Sequence, residues 1–375
     1  MDSTLRPSVS LRALKELRNI HSAAELRKRL EQESGPRTTL SFYRYVHLAR
    51  PHALRDALYE EWSGLGVLGR TYLAREGVNA QVSLPSASLA AFRSALDARS
   101  GFEDMPFKVA VEQNDLSFLK LKIKVRPKLV ADGLPDDAFD TANVGRHLSA
   151  AEFNAALERG ALVVDMRNDY ECAIGHFKGA MVPESTTFRD VMPEMQRKLS
   201  GKEKEEVLLY CTGGIRCEKA SSWLRHHGFI NVGQLHGGII DYARQVQEQG
   251  LENKYRGSNF VFDHRLAERI SDEVVGECHQ CGTASDRITN CRNTMCNVLL
   301  VQCGSCRETF SNCCTPDCQH TAAPPMEAQR ELRKGRSGLP ITNKFIKDAA
   351  ALRRTIAAQL RDGASIHTTL PTAIT

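Results

Sequence analysis

Residues 36–130 carry a regular pattern of apolar and polar positions that predicts strands and helices in a definite order. The segment TLSFYRYVHL, rich in aromatic and β-branched residues, predicts a strand, and PHALRDALYEEW has the spacing of a helix. Two short strands follow around Glu76 and Gly77, then a second helix, and then strands on either side of Asn114. This β-α-β-β-α-β order predicts an α+β domain of the ferredoxin-like (split βαβ, acylphosphatase-like) type.

A second pattern of strands and helices occupies residues 147–252. Ser149 and Glu152 have the spacing of a capping box and mark the start of a helix. The strands ALVVDMR and EEVLLYC are mostly apolar, as in parallel sheets covered on both faces, and helical stretches follow them. We therefore predict an α/β domain with a parallel sheet and flanking helices. The intervening residues 131–146 lack periodicity and predict a linker.

Both ends of the chain are predicted to lie outside these two domains. Residues 1–35 form an N-terminal extension in which the spacing of Leu11, Leu14 and Leu17 favours an amphipathic helix, and an Arg-rich transit segment is the alternative. Residues 321–375 contain nine Lys or Arg against four Asp or Glu and predict a basic, partly disordered tail. No apolar run approaches the roughly 20 residues of a membrane-spanning helix, so we expect a cytoplasmic protein without a membrane partner.

The sharpest chemical signal is the segment LLYCTGGIRCEKASSWL, in which Cys211 ends a buried strand shortly before a helix begins. The two glycines permit a tight turn whose N–H groups converge on the sulfur, and the following arginine adds positive charge. This environment predicts a thiol with a lowered pKa, whereas a cysteine after a strand is otherwise often just a small buried residue. The predicted anion-binding loop contains Thr212, Gly213, Gly214, Ile215 and Arg216.

The spacing within this loop indicates which anion it suits. Four residues separate Cys211 from Arg216, one fewer than in phosphatase loops of this style. A smaller ring of N–H groups fits a single extra atom on sulfur, such as a persulfide, better than a tetrahedral phosphate.

The loop and the upstream segment DMRNDYECAIGHFKGA resemble the rhodanese superfamily, whose motif reads D-x-R…E…G-H-x-x-G-A. The resemblance implies that four residues support the sheet and the loop without direct catalysis: Asp165, Arg167, Glu171 and His176. Cys217, six residues after Cys211, is either a resolving thiol or a fixed part of the helix start.

Segments from several parts of the chain resemble, in the same order, the TrhO family of bacterial tRNA uridine(34) hydroxylases. They are SFYRYVHL, YLAREGVNAQVS, SFLKLKIKVR, FDTANVG, CTGGIRCEKAS and NFVFDHRLAERISDE, and they span about residues 36 to 318. The resemblance implies hydroxylation of the wobble uridine to 5-hydroxyuridine, with tRNA as partner, O2 as co-substrate and Cys211 as catalytic residue. No flavin, haem or iron motif is visible in the sequence. The residues leave open whether the thiolate adds to the uracil ring or carries an oxidised sulfur.

Two other functions stay open when the residues are taken without the resemblance. The chemistry of the loop alone favours a sulfurtransferase that carries a persulfide on Cys211. A non-enzymatic module that binds RNA or protein is the other alternative, and the intact nucleophile and glycine pair argue against it.

A strictly alternating strand supplies the candidate RNA contacts. Between residues 118 and 128 every second residue is cationic, which predicts a positively charged face opposite a buried one. The cations are Lys120, Lys122, Lys124 and Arg126. A merely solvated strand face is equally consistent with this pattern, and the net charge of +5 permits RNA binding without requiring it. Tyr43, Tyr45 and Tyr72 are predicted to pack in the sheet rather than to stack on bases.

Nine of the twelve cysteines lie between Cys278 and Cys318, within a predicted module of residues 253–320. Two C-x-x-C pairs 21 residues apart have the spacing of zinc knuckles, which favours a structural zinc rather than a catalytic metal. The predicted ligands are Cys278, Cys281, Cys303 and Cys306. A second, interleaved set is Cys291, Cys296, Cys313 or Cys314, and Cys318. Related chains often carry Cys in place of Ser285 and His in place of Asn297, which leaves the second set open.

Overall fold

The computed structural model describes residue 17 and residues 19–114, 116–135, 138–334 and 345–361. Leu11 and Leu14, on which the predicted N-terminal helix rests, lie outside the described residues, and Leu17 lies in a turn. A nine-residue helix, α1 (Ala23–Glu31), follows and begins with a capping box at Ser22.

The first domain is a five-stranded sheet covered on one face by two helices, which confirms the predicted α+β fold. Its strands are β1 (Arg37–Tyr45), β2 (Leu68–Ala74), β3 (Gly77–Pro85), β4 (Lys108–Val109) and β5 (Leu121–Val125), and its helices are α2 (Pro51–Gly64) and α3 (Leu89–Asp97). Their order across the sheet is β4-β1-β3-β2-β5, with β5 parallel to β2 and the other pairs antiparallel. Trp62 and Phe92 pack against Phe42 on the helix-covered face.

The opposite face of this sheet is polar, because side chains alternate along each strand. On β1, Leu40 and Phe42 are buried under the helices, whereas Ser41 and Tyr43 point the other way. This polar face is turned towards the second domain and forms one wall of the cavity described below.

The second domain is a four-stranded parallel sheet with helices on both faces, as predicted. Its strands in spatial order are β6 (Arg146–Leu148), β10 (Asn231–Leu235), β9 (Glu206–Tyr210) and β7 (Leu162–Asp165). Helices α4 (Ala150–Glu158) and α8 (Gly238–Gln249) cover one face, and α6 (Phe188–Lys198) and α7 (Ile215–His226) cover the other. A short helix α5 (Asp169–Cys172) and strand β8 (Gly175–Phe177) follow β7.

The capping box of Ser149 and Glu152 is present at the start of α4. Strand β6 just before it was not predicted, because three residues are too short to show periodicity.

Residues 131–146, predicted to be a linker, pack against the second domain. Asp132 is 2% exposed, and its Oδ2 atom lies 2.6 Å from the Nζ atom of Lys219 in α7. Phe139 is also buried and meets Trp223 of α7 edge to face. This segment therefore fixes the first domain against α7 as well as connecting the two domains.

The third module begins by extending the second domain. Its first strand, β11 (Tyr255–Phe260), pairs antiparallel with β8 and with β12 (Ala267–Arg269). The strands β13 (Ile288–Asn290) and β14 (Leu299–Val301) form a hairpin within the cysteine-rich part. Helices α9 (Gly304–Thr309), α10 (Pro316–Thr321), α11 (Met326–Arg333) and α12 (Ala349–Arg361) complete it.

Part of the predicted basic tail is helical where the structure describes it. Helix α12 is regular, and Leu352 and Ile356, four residues apart on one face, are buried against the cysteines. The apolar spacing of ALRRTIAAQL carried this signal, but the charge-rich composition of the whole tail obscured it. Within the described ranges, no helix is long and apolar enough to cross a membrane.

Candidate active site

The candidate nucleophile lies where β9 ends and α7 is about to begin. Cys211 follows the last strand residue, and Gly214 with φ of +96° turns the chain into the helix. The backbone N–H of Gly214 donates a hydrogen bond to the Cys211 Sγ atom over 3.1 Å. From the start of α8, the N–H of Ile239 donates to the Cys211 carbonyl oxygen over 3.0 Å. Gly238 permits this approach, because a Cβ atom there would lie 2.5 Å from that oxygen.

The surroundings of Cys211 lower the pKa of its thiol to about 6. Burial alone raises the pKa, but hydrogen bonds and charge outweigh it: the Cys217 thiol donates to the sulfur, Arg216 is nearby, and backbone N–H groups of both residues contribute. At neutral pH the sulfur is mainly a thiolate. The pKa of Cys217 is raised by burial and by the neighbouring Cys211 sulfur, so Cys217 remains the protonated partner.

Two buried ion pairs lie in this domain, and one of them includes a loop residue. Asp165 pairs with Arg167 over 2.7 Å, and both side chains are fully buried. Glu171 pairs with Arg216 through two bonds of 2.6 and 2.9 Å. The ion-pair partner of Glu171 is therefore the loop arginine itself.

His176 lies on β8. Its Nδ1 atom is 3.0 Å from the carbonyl oxygen of Phe177, and it is not among the described residues that line the cavity.

A cavity of about 700 Å³ lies over the loop and is lined by all three parts of the chain. The loop contributes Cys211, the first domain contributes its polar sheet face, and the third module contributes the segment around Phe262. Cys211 is 0% exposed, so a substrate reaches the sulfur only when lining side chains move.

Lys108 on β4 brings a positive charge from the first domain to the cavity. It is 4% exposed, and its Nζ atom lies 4.5 Å from the centre of the Tyr43 ring. Burial lowers its pKa, and the negative charges of Asp241, Cys211 and Glu218 partly offset that effect. An ammonium group thus faces the cavity beside the nucleophile.

Two tyrosines join the first domain to the start of α7. The Tyr43 hydroxyl donates to Glu218 Oε1 over 2.9 Å, and the Tyr45 hydroxyl donates to the Ile215 carbonyl oxygen over 3.4 Å. Tyr43 and Tyr45 thus lie at a domain interface, and Tyr43 and Tyr72 both line the cavity.

The alternating strand has the orientation that its pattern predicted. Lys120, Lys122 and Arg126 are exposed and Lys124 is half-buried, while the intervening Leu121 and Ile123 are buried. Arg70 on β2 stands beside Lys122, and the Arg126 guanidinium lies 5.6 Å from the centre of the Tyr72 ring. We call four of these side chains, Arg70, Lys122, Lys124 and Arg126, the cationic row. Two of its members, Arg70 and Arg126, also line the cavity.

The cysteine-rich module brings together both predicted sets of thiols. The Sγ atoms of the first set, Cys278, Cys281, Cys303 and Cys306, lie within 4.8 Å of one another. Cys291, Cys296, Cys314 and Cys318 form a second group of the same size, so Cys314 rather than Cys313 joins it.

Comparisons with known proteins agree with this three-part architecture. Three family models match in succession: the UPF0176 acylphosphatase like domain at residues 37–129, the Rhodanese-like domain at 149–245 and the Rhodanase C-terminal at 256–319. A tRNA uridine(34) hydroxylase of Leptospira interrogans is 57% identical over 321 residues, covering 85% of this chain and 88% of the relative. The chain belongs to the tRNA uridine(34) hydroxylase family.

Proteins with the same name from Salmonella arizonae and Escherichia coli are 46% and 47% identical to this chain. The alignments cover 88% and 80% of this chain, and 95% and 87% of those proteins. The resemblance to tRNA uridine(34) hydroxylases found in the sequence is thereby confirmed.

In this member of the hydroxylase family, some residues that the other domains contribute to the cavity over the Cys211 loop were not predicted from the sequence. Lys108 lies between Phe107 and Val109. A single cation between apolar residues of a strand is the sequence feature that could have identified it as a site residue. Arg265 and Glu268 of the third module also line the cavity, and their sequence pattern carried no comparable sign.

Proposed function

We propose that this chain is an oxygen-dependent tRNA uridine(34) hydroxylase that converts the wobble uridine of tRNA to 5-hydroxyuridine. The observation that carries the proposal is the thiolate of Cys211 at a cavity that all three parts of the chain build. Family membership supplies the substrate and the reaction, since the relatives are named for both. Since its substrate is tRNA, we place the enzyme in the cytoplasm.

The net reaction replaces the hydrogen on C5 of uracil by a hydroxyl group. One atom of O2 remains on the base and the other leaves as water, so a two-electron donor and two protons are consumed. Cys211 is proposed to add to C6, the electron-poor carbon of the ring, which moves negative charge onto C5 and O4. This addition makes C5 electron-rich, as its reaction with oxygen requires. Once C5 carries the hydroxyl group, its hydrogen leaves as a proton, the C6–S bond breaks, and the ring double bond and the Cys211 thiolate are restored.

The surroundings of Cys211 suit this role. When the thiolate adds to the ring, negative charge moves from the sulfur to the uracil. Lys108, whose buried ammonium group faces the cavity, can stabilise this charge. Thr212, Gly213, Gly214, Ile215 and Arg216 hold the nucleophile in place through the turn. Asp165, Arg167 and Glu171 are proposed to support this arrangement from beneath, because their ion pairs are buried.

The cationic row is proposed to guide the tRNA backbone into the cavity. It begins at the exposed edge of the first-domain sheet with Lys122 and continues to Arg126 at the cavity wall. Cationic side chains of this kind contact phosphates regardless of base sequence. The row therefore contributes to affinity for tRNA and not to specificity for particular tRNAs. Lys120, which immediately precedes β5, extends the same face.

The first cysteine set is proposed to hold a structural zinc ion. The Sγ atoms of Cys281 and Cys303 are 3.6 Å apart, and the four ligands come from two C-x-x-C turns. Four thiolates leave no open coordination position, so this metal would stabilise the module without joining the reaction.

A sulfurtransferase reaction is the alternative that the loop chemistry supports, and one experiment separates the two. The gene for this chain is expressed in a bacterium whose own hydroxylase gene is deleted, and tRNA nucleosides are analysed by mass spectrometry. We expect a uridine one oxygen atom heavier to appear at the wobble position. The Cys211→Ser variant serves as the matched control and should leave it absent. A thiolated base in place of the hydroxylated one would overturn the proposal.

A further inference from the structure

The second cysteine set has the geometry of a metal centre. The Sγ atoms of Cys296 and Cys314 are 3.7 Å apart, and those of Cys314 and Cys318 are 3.6 Å apart. A regular tetrahedron with metal–sulfur bonds of about 2.3 Å has edges of about 3.8 Å. A disulfide needs a separation of about 2.05 Å, so these distances fit one tetrahedral ion rather than a covalent bridge.

Hydrogen-bond donors already point at these sulfur atoms. The N–H of Cys314 donates to Cys291 Sγ over 3.4 Å, and the amide of Asn293 donates to Cys318 Sγ over 3.3 Å. Asn293 is itself only 4% exposed, so its amide is fixed in place. Donors of this kind stabilise thiolates and orient them as metal ligands.

Cys313, the residue before Cys314, contacts Cys291 but is not part of the four-thiol group. Cys313 is buried beside Cys314, but its thiol points to the carbonyl oxygen of Ser311 at 3.8 Å. Its own carbonyl oxygen accepts a hydrogen bond of 3.0 Å from Gln280, which lies between two ligands of the first set. Cys313 therefore contributes its backbone rather than its sulfur.

We propose that Cys291, Cys296, Cys314 and Cys318 bind a second zinc ion, a closed structural site. Three of these residues are no more than 3% exposed, which leaves no path for a substrate. Thiolate ligands in a tetrahedral arrangement favour zinc among the divalent ions.

The second site would fasten the C-terminal helix to the module. Cys318 lies in α10, where the carboxylate of Asp317 accepts a 2.6 Å hydrogen bond from Gln359 of α12. Leu352 and Ile356 of α12 pack in the same cluster as the four cysteines. Loss of this ion should therefore loosen α10 and α12 together.

Metal analysis of the full-length chain, purified without chelator, tests the proposal. We expect two zinc ions per chain in the wild type and one in Cys318→Ser. Cys313→Ser is the matched control, since it removes the neighbouring thiol outside both sets, and it should retain two. A zinc content that is the same in Cys318→Ser as in the wild type would overturn the second site, as would loss of one ion from Cys313→Ser with none lost from Cys318→Ser.

A second measurement covers the case in which Cys318→Ser does not fold. X-ray absorption of the wild type with zinc should show only sulfur neighbours, at about 2.3 Å, for both equivalents. Cys296→His should keep two zinc ions and replace one of the eight sulfur ligands by nitrogen, which is half a nitrogen per zinc in the average coordination shell. Oxygen or nitrogen ligands in the wild type would contradict two sites that are each built from four thiolates. Neither measurement depends on tRNA hydroxylation, so failure of this inference is distinguishable from failure of the proposed function.

Discussion

At the scale of single residues, the chemistry rests on a thiol whose charge is set by its neighbours. Burial opposes ionisation of Cys211, and the Cys217 thiol, the Arg216 charge and the turn N–H groups reverse that effect. The turn that surrounds this thiol was predictable from the local pattern C-T-G-G-I-R. The opposing Tyr43 and Lys108 were not, because the contact of Tyr43 with Glu218 spans 175 positions in sequence.

Cys211→Ser is expected to abolish hydroxylation while the chain remains folded. A serine hydroxyl has nearly the same size as the thiol but does not ionise in this pH range, so the nucleophile is lost. Wobble hydroxylation in the complemented strain should fall to the level of the empty vector, with an unchanged circular dichroism spectrum. A serine variant that still hydroxylates tRNA would disprove thiolate catalysis.

The pH dependence of Cys211 should follow its lowered pKa. The thiolate is present above a pH of about 6 and is lost as the pH falls through that value, because the folded-state pKa lies below the ordinary one. The rate of alkylation by iodoacetamide, followed by mass spectrometry of the Cys211 peptide, should therefore have its midpoint near 6. Cys217→Ala should raise the midpoint, since a donor to the sulfur is lost.

Cys172→Ala is the matched control for this titration. Cys172 is also buried, but its thiol donates to the carbonyl oxygen of Asn168 and not to Cys211. The midpoint should stay where it is in the wild type. A midpoint near that of an ordinary thiol in the wild type would show that the turn does not activate Cys211.

At the scale of elements, strands and helices with clear periodicity were predictable and short or peripheral ones were not. The capping box at α4 and the alternation along β5 both appear as expected. The three residues of β6 owe their structure to pairing with β10, which no local pattern reveals. Helix α12 is stabilised because the apolar side chains on one of its faces pack against the cysteine cluster.

Reversal of charge on β5 tests the cationic row. The double variant Lys122→Glu/Lys124→Glu should weaken binding of all tRNAs alike, by about tenfold or more at moderate salt. The slope of log affinity against log salt should fall by about two, one unit for each lost phosphate contact. Lys204→Glu is the control, because this exposed residue precedes β9 at the end opposite Cys211. Equal affinities for double variant and wild type in a filter-binding assay would mean that β5 is only a solvated edge.

At the scale of the whole molecule, the active site depends on how three parts of the chain dock. Lys219 of α7 is 1% exposed and reaches Asp132 at 2.6 Å and Glu76 of the first domain at 2.9 Å. Lys128 pairs with the same Asp132 over 2.8 Å. The family resemblance predicted three modules in order, but this buried network joining them was visible only in the fold.

Lys219→Met should destabilise the docked arrangement. Without Lys219, the buried carboxylate of Asp132 has less positive charge beside it. This lowers the free energy of unfolding by about 3 kcal/mol. Urea unfolding measures the loss, and the double variant Lys219→Met/Asp132→Asn should recover part of it because the unpaired charge is gone. An unchanged unfolding midpoint for Lys219→Met would show that the network does not hold the domains together.

The central claim is that the Cys211 thiolate makes C5 of the wobble uridine reactive, and that C5 then takes up one oxygen atom from O2. The most direct test grows the complemented deletion strain under O2 enriched in the heavy isotope and measures the isotope content of 5-hydroxyuridine in tRNA. The account predicts that the hydroxyl oxygen carries the heavy isotope with wild-type protein and that the nucleoside is absent with Cys211→Ser. A 5-hydroxyuridine whose oxygen derives from water, or one that persists in Cys211→Ser, would contradict it.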